Sequence, residues 1–140
     1  LRVLAGQPPI EELWINMDIS KLLFSLAKSP IGDLIVGIAF GNLSGLLPVK
    51  RIKETDKVVA FWHPKPYWEK HILLVPKKAI KSLTSLKDED YIYINEVYKV
   101  AKEIVEEQGW EKNGYTILAN GGSRQEVSQA HFHLSSGAEL

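Results

Sequence analysis

The sequence of 140 residues contains no cysteine, and its formal net charge is zero because 17 basic and 17 acidic side chains cancel. Without cysteine, the chain can form neither a disulfide framework nor a cysteine zinc site. The charge balance provides no electrostatic footprint for duplex nucleic acid or for an acidic membrane surface. We therefore expect a cytoplasmic protein whose partners include neither nucleic acid nor membrane. A small anionic ligand held by local groups is still compatible with this balance.

The sequence also has no uncharged run long enough to span a bilayer. Residues 34–48 carry no charge, but 15 residues are too few, and three glycines interrupt them. We interpret this stretch as a buried or interfacial helix. The chain length predicts one domain, residues 1–140, that is large enough to bury its own core.

The spacing of apolar residues predicts an α+β fold: an antiparallel sheet, one long helix that crosses it, and extra helices at the N-terminus. The long helix is expected to begin where Ser85 and Asp88 stand in capping-box spacing, and to end at Gly109. The predicted helices cover residues 10–27, 32–47 and 85–108. The predicted strands cover residues 49–54, 58–62, 71–75, 115–119 and 127–134.

The segment from Gln129 to His133 alternates polar and apolar residues, which is the period of a β-strand. Gln129, His131 and His133 are therefore expected on one face of the last predicted strand. Two imidazoles in this arrangement can hold a metal ion, or one can attack an electrophile while the other orients it.

A glycine-rich polar loop, residues 120–126, precedes this strand. Its glycines allow the backbone to approach a phosphate closely. Asn120 and Gln125 are candidate donors for the same anion, and His71 is a candidate third histidine at the start of an earlier strand. A site built this way has a nucleophile or metal ligand, an orienting partner and anion donors.

These residues resemble the histidine-triad (HIT) family. The segment from Gln125 to Leu134 looks like the family signature, a Gln followed by His-x-His-x-His and apolar residues. Residues 59–61 and 71–78 are similar to the family's strand–loop–strand, including the ten-residue step from Phe61 to His71. The resemblance covers about residues 35–137, and residues 1–34 are then a helical extension.

The resemblance implies a nucleotide phosphohydrolase or transferase that attacks the α-phosphorus of a nucleoside phosphoramidate or dinucleoside polyphosphate. His131 matches the family nucleophile, which forms a nucleotidyl-histidine that water cleaves. His133 and His71 match histidines that orient and polarise the site. Hydrogen-bond donors offset the phosphoryl charge in such sites, so no metal or other cofactor is implied.

The resemblance also implies a purine nucleotide, such as AMP or GMP, as the ligand. Asn120 and Gln125 match residues that hold the phosphate region of the nucleotide, and Phe61 matches a residue at the edge of the nucleoside pocket. The family commonly forms homodimers, and here the contact would involve the helix at residues 88–108 and the strand at residues 115–119.

Three residues of the expected nucleotide site depart from the family pattern. Gln129 stands at the first triad position, where it can donate and accept hydrogen bonds but cannot carry a proton. Glu126 stands where the family often has Ser, and Arg124 is positioned to offset its charge. His63 stands where the family usually has an acidic residue for the ribose hydroxyls.

Two alternatives follow from these departures and from the histidine pattern itself. The first is a nucleotide-binding module that has lost turnover through the changes at Gln129 and Glu126. The second is a metal site built from His131, His133 and His71 on a β-sheet scaffold of another kind.

Overall fold

The computed structural model of the protein describes residues 32–39 and 49–140. The predicted helix at residues 10–27 and the end of the helix predicted at residues 32–47 lie outside these ranges. Within them, the chain forms the α+β fold with a five-stranded antiparallel sheet and one long helix that the sequence predicted. The helices are α1 (Gly32–Ala39), α2 (Tyr91–Gln108) and α3 (Trp110–Asn113). The strands are β1 (Arg51–Glu54), β2 (Val58–Trp62), β3 (Trp68–Pro76), β4 (Thr116–Leu118) and β5 (Phe132–Glu139).

The five strands follow the order β1-β2-β3-β5-β4. Strand β3 therefore pairs with β2 on one side and with β5 on the other, and in the second pairing Leu73 lies opposite His133. This topology brings the residue after β2, the first half of β3 and the start of β5 into one region of the sheet, and each of these segments contains a histidine.

Both faces of the sheet are covered in the described part of the chain, because residues along β2 and β3 alternate between two apolar clusters. One cluster packs under α2 and includes Val58, Ala60, Ile72, Leu74 and Leu134. The other cluster joins the opposite face to α1 and consists of Ile35, Ile38, Val59, Phe61, Leu73 and Val75. We call this second face the α1 face.

The long helix begins six residues later than the sequence predicted. Single 3-10 turns occupy Leu83–Ser85 and Asp88–Asp90, and α2 starts at Tyr91. The predicted cap of Ser85 with Asp88 is wrong, because the Asp90 carboxylate accepts the Lys87 amide at 2.9 Å instead. Asp90 also pairs with Lys78, which ties the start of the helix to the segment after β3.

The predicted start of the last strand is also wrong, because β5 begins at Phe132 rather than at residue 127. The residues just before β5 form hydrogen bonds with the segment that follows β3. The Ala130 amide donates to the Ile80 carbonyl at 2.7 Å, and the Gln129 side chain bonds to Lys78 and Ile80. Tertiary hydrogen bonds therefore replace the strand pairing that was predicted for the residues before Phe132. The local alternation of polar and apolar residues does not encode such contacts.

Of the helices in the described ranges, none has both the length and the apolar character needed to cross a membrane.

Candidate active site

Four histidines gather on the α1 face of the sheet, and they are all the histidines of the chain. His63 follows β2, His71 lies within β3, His131 directly precedes β5, and His133 is the second residue of β5. Their ring centroids are 4.1 Å apart from His63 to His71, 5.1 Å from His71 to His133, and 5.2 Å from His133 to His131. The structure thus brings together His71, His131 and His133, which were predicted to be catalytic, and His63, which was predicted at the nucleotide site.

The hydrogen bond made by His131 leaves one ring nitrogen free to act as a nucleophile. Nδ1 of His131 lies 2.8 Å from the Gln129 carbonyl oxygen. A carbonyl can only accept, so Nδ1 carries the proton and Nε2 keeps its lone pair in the neutral ring. The side chain of His131 is 8 % exposed and lines a cavity.

The other three imidazoles have the opposite arrangement, because Nδ1 accepts a hydrogen bond: from a backbone amide in His63 and His71, and from the His71 ring in His133. The Tyr67 amide donates to Nδ1 of His71 at 3.2 Å, and the Lys65 amide donates to Nδ1 of His63 at 3.0 Å. In the neutral rings the proton is therefore on Nε2. Nε2 of His71 in turn lies 2.9 Å from Nδ1 of His133 and donates to it, which leaves His133 with its own proton on Nε2.

Burial keeps the imidazoles neutral. Loss of solvation lowers the pKa of His63, His71 and His133 to about 4 in each case, and proximity to other rings of the cluster adds to the effect. Burial also lowers the pKa of His131, against an opposing contribution from the Gln129 carbonyl and the charge of Glu126. At neutral pH the site therefore contains one ring with a free lone pair and three rings that act as N–H donors.

The same tautomers disfavour a bound metal ion. Ligand nitrogens of His63, His71 and His133 lie within 4.8 Å of one another, which is close enough for a shared ion. A metal-bound imidazole uses the lone pair of one nitrogen and carries its proton on the other. In His63 and His71 that other nitrogen already accepts a backbone N–H, so metal binding would place two hydrogens against each other. The donor set does not fit a metal with these hydrogen bonds intact.

A cavity of about 400 Å³ lies beside the histidines. Five residues that the sequence predicted for the site line it: His63, Asn120, Glu126, His131 and His133. His71 does not line it but holds His133 in place through the 2.9 Å hydrogen bond.

The sequence analysis missed several other lining residues, among them Lys65, Tyr67 and Trp68. Lys65 and Tyr67 lie in the connection between β2 and β3, which contains two prolines, and Trp68 is the first residue of β3. Tyr67 and Trp68 contact the histidines edge-on, with centroids 5.5 Å from His63 and 4.9 Å from His71 respectively. The sequence signal that could have identified them was a pair of aromatic residues following two prolines, shortly before His71.

The remaining predicted contacts are placed away from this cavity. The Gln129 side chain is buried, donating to the Lys78 carbonyl at 2.8 Å and accepting the Ile80 amide at 3.0 Å. The Gln125 amide donates to the Lys81 and Val127 carbonyls. Phe61 is fully buried under α1. These three residues are therefore not part of the cavity wall in the described part of the chain, although Gln129 positions His131 through its carbonyl.

Comparison with known proteins supports the family assignment. The model of the HIT domain family matches residues 45–140. The chain belongs to the HIT domain family. An uncharacterized HIT-like protein of Buchnera aphidicola is 30 % identical over 100 residues, which is 70 % of this chain and 89 % of that protein.

Solved structures of HIT proteins have the same fold. A HIT family hydrolase from Legionella pneumophila superposes with a TM-score of 0.65 at 27 % identity, covering 72 % of this chain and 91 % of that one. A histidine triad nucleotide-binding protein from Candida albicans superposes with a TM-score of 0.59 at 27 % identity, covering 71 % of each chain. The family that the sequence motifs resembled is thereby confirmed.

Proposed function

We propose that this HIT protein is a nucleotide phosphohydrolase or transferase that attacks the α-phosphorus of a nucleoside phosphoramidate or a dinucleoside polyphosphate. The observation that carries the proposal is the hydrogen bond from Nδ1–H of His131 to the Gln129 carbonyl. It leaves the Nε2 lone pair of a neutral imidazole at the wall of a cavity. Among the similar structures, a HIT family hydrolase supports a hydrolytic reaction, and a histidine triad nucleotide-binding protein supports a nucleotide ligand.

In the proposed first step, Nε2 of His131 donates its lone pair to phosphorus and forms a P–N bond. The bond from phosphorus to the leaving group breaks, and the leaving group departs with that electron pair and takes up a proton from solvent. The imidazole becomes cationic, and the Gln129 carbonyl stabilises it because a charged donor strengthens the hydrogen bond from Nδ1–H.

In the second step, water attacks phosphorus and releases a proton to solvent, the P–N bond breaks, and its electron pair returns to Nε2, which restores the neutral imidazole. The Nε2–H of His133 is a donor for a phosphoryl oxygen in both steps, and Asn120 and Arg124 are further donors on the cavity wall. His71 is a positioning residue, since it acts through His133.

The role of Gln129 in this proposal is structural. It stands at the first position of the triad. Its side-chain amide bonds to the backbone of Lys78 and Ile80, and its backbone carbonyl accepts a hydrogen bond from His131. The nucleophile is therefore held in place without a proton on residue 129, which supports retained turnover. The charge of Glu126 on the cavity wall favours the second candidate, a nucleotide-binding module with little or no turnover.

The test is release of AMP from an adenosine phosphoramidate, measured for the wild type, His131→Ala and Ser128→Ala. Ser128 is exposed and does not line the cavity, so it provides a matched control in the same segment. We expect turnover by the wild type and Ser128→Ala and none above background by His131→Ala. Background rates for all three proteins, with AMP binding retained, would contradict hydrolysis and support the binding module.

We also propose that the protein is a homodimer. Strand β4 is an edge of the sheet, and the exposed rings of Tyr98 and Tyr115 lie beside it. A shallow cavity of about 290 Å³ between α2 and β4, with Ile117 and Val105 in its wall, continues this apolar surface. An unpaired edge next to exposed aromatic rings is typical of an interface between copies of a chain.

A further inference from the structure

The proposed phosphoryl chemistry does not use the hydrogen-bond donor of His63. This side chain is 5 % exposed, and it lines the cavity next to His133. Its Nδ1 accepts the Lys65 amide, so its proton is on Nε2. Nε2 has no hydrogen-bond partner among the residues that the structure describes. Nε2 is not one of the fully buried side-chain atoms without a partner in the described residues, so it is open to the cavity, where a ligand or water can accept from it.

The His63 ring is fixed by its neighbours. It stacks on His71 with 4.1 Å between centroids and 19° between planes, and the Tyr67 ring packs against it edge-on. His71 is itself held at both ring nitrogens. The donor of His63 therefore has a defined direction before any ligand binds, which lowers the entropic cost of binding.

A positively charged side chain, Lys65, lies near the Nε2–H donor of His63. Lys65 lies two residues from His63 and also lines the cavity, whereas Glu126 is the only acidic residue among the described residues of its wall. The ring centroids of His63 and His133 are 6.1 Å apart, and those of His133 and His131 are 5.2 Å apart. His133 therefore lies between the proposed nucleophile, His131, and the donor of His63. A neutral N–H and a flexible ammonium group together recognise an anionic oxygen acceptor.

We infer that Nε2–H of His63 and the ammonium group of Lys65 bind a second phosphate group of the nucleotide ligand. This inference rests on the proposed function in placing the reacting phosphate at His131. The preferred ligands then carry two phosphate groups, with the second on the sugar or further along the 5′ chain. Burial holds the pKa of His63 at about 4, so the ring is a neutral donor at pH 7, and the positive charge comes from Lys65.

Equilibrium binding by calorimetry tests this with three probes: AMP, adenosine 3′,5′-bisphosphate, and α,β-methylene-ADP, which cannot be cleaved. We expect the wild type to bind one of the two probes with a second phosphate group about tenfold more tightly than AMP. This gain in affinity, about tenfold, is typical of one charge-assisted hydrogen bond. A gain with the 3′,5′-bisphosphate assigns the second phosphate to the sugar, and a gain with the methylene analogue assigns it to the 5′ chain.

Two pairs of variants make the test specific. The amide of His63→Gln can still donate, whereas the carboxylate of His63→Glu cannot, so the gain should persist in the first and vanish in the second. Lys65→Ala should reduce the gain, whereas Lys70→Ala should not, because Lys70 is exposed and does not line the cavity. Equal affinity of the wild type for all three probes would overturn the inference, as would an unchanged gain in His63→Glu.

The two proposals fail in different ways. If AMP release is absent while the gain in binding is present, the proposed hydrolysis is wrong and the second phosphate site stands. If AMP release proceeds while the gain is absent, hydrolysis stands and the second phosphate site is wrong.

Discussion

At the scale of single residues, the function of each imidazole depends on what its Nδ1 contacts. A backbone carbonyl at His131 produces a ring with a free lone pair, and backbone amides at His63 and His71 produce rings that donate. The two-residue spacing of the motif predicted that His131 and His133 would be neighbours. It could not predict the tautomers, because the groups that determine them are backbone atoms brought in by the fold.

The pKa values of the cluster predict a loss of stability on acidification. His63, His71 and His133 have a pKa of about 4 in the folded protein, against an ordinary value of 6.5. Between these values the unfolded chain binds more protons than the folded one, so lowering the pH favours unfolding. We expect the melting temperature, followed by circular dichroism, to fall progressively as the pH decreases from 6.5 towards 4.

The control for this prediction is His63→Gln, which removes one of the titrating groups and should make the decrease less steep. The ion-paired carboxylates Asp90 and Glu103, whose pKa values are lowered by Lys78 and Lys53, lose their contribution at lower pH. A melting temperature that stays constant between pH 7 and pH 5 would show that the imidazoles are not held neutral by burial.

Gln129 is predicted to stabilise the fold through its two side-chain hydrogen bonds. Gln129→Ala leaves the buried Ile80 amide and the Lys78 carbonyl without these partners, which should lower the free energy of unfolding by about 1–3 kcal/mol. Urea denaturation measures this change. Gln108→Ala, at an exposed position in the last turn of α2, is the matched control and should change the free energy by less than about 0.5 kcal/mol. Equal effects of the two substitutions would contradict the structural role of Gln129.

At the scale of elements, the predictions succeeded where the local pattern and the tertiary contacts agree. Strand β2 was predicted with its observed bounds, because its apolar run is buried on both faces. The start of α2 was wrong because the contacts of Asp90 with Lys87 and Lys78 outweigh the local capping signal. The early residues of the last predicted strand were wrong for the same kind of reason, since they bond to the segment after β3.

The C-terminus of α2 provides a prediction at this scale. Gly109 ends the helix with φ 69°, a left-handed conformation, and a Cβ there would meet nothing within 4 Å. Gly109→Ala should therefore destabilise the protein by about 1 kcal/mol through backbone strain alone. Gly121→Ala is the control, since a Cβ added at Gly121 would also meet nothing within 4 Å but the backbone there has an extended φ of −140°. If both substitutions leave the urea midpoint unchanged, the left-handed cap does not constrain the helix end.

At the scale of the whole molecule, the sheet separates two kinds of surface. The histidines and their cavity lie on the α1 face, whereas α2 covers the other face and leaves tyrosine rings exposed near strand β4. The resemblance to the HIT family implied that the long helix and the strand at residues 115–119 form the dimer contact. It could not show which tyrosines are exposed, because that depends on how α2 lies across the sheet.

The proposed dimer predicts a specific response to charge. Tyr98→Glu places a carboxylate on the exposed surface beside β4 and should convert the dimer to a monomer in sedimentation velocity experiments. Leu83→Glu, at a position that is 77 % exposed and outside this surface, should leave the dimer intact. A wild-type protein that sediments as a monomer at micromolar concentration would contradict the proposal.

The most direct test of the proposed chemistry is to trap the nucleotidyl-histidine. The protein is mixed with an adenosine phosphoramidate and quenched in alkaline denaturant, which preserves P–N bonds, and the mass of the intact chain is then measured. We predict a population of wild-type protein carrying one adenylyl group, mapped by peptide sequencing to His131, and none in His131→Ala. Turnover without any labelled protein, or a label on a residue other than His131, would contradict the account.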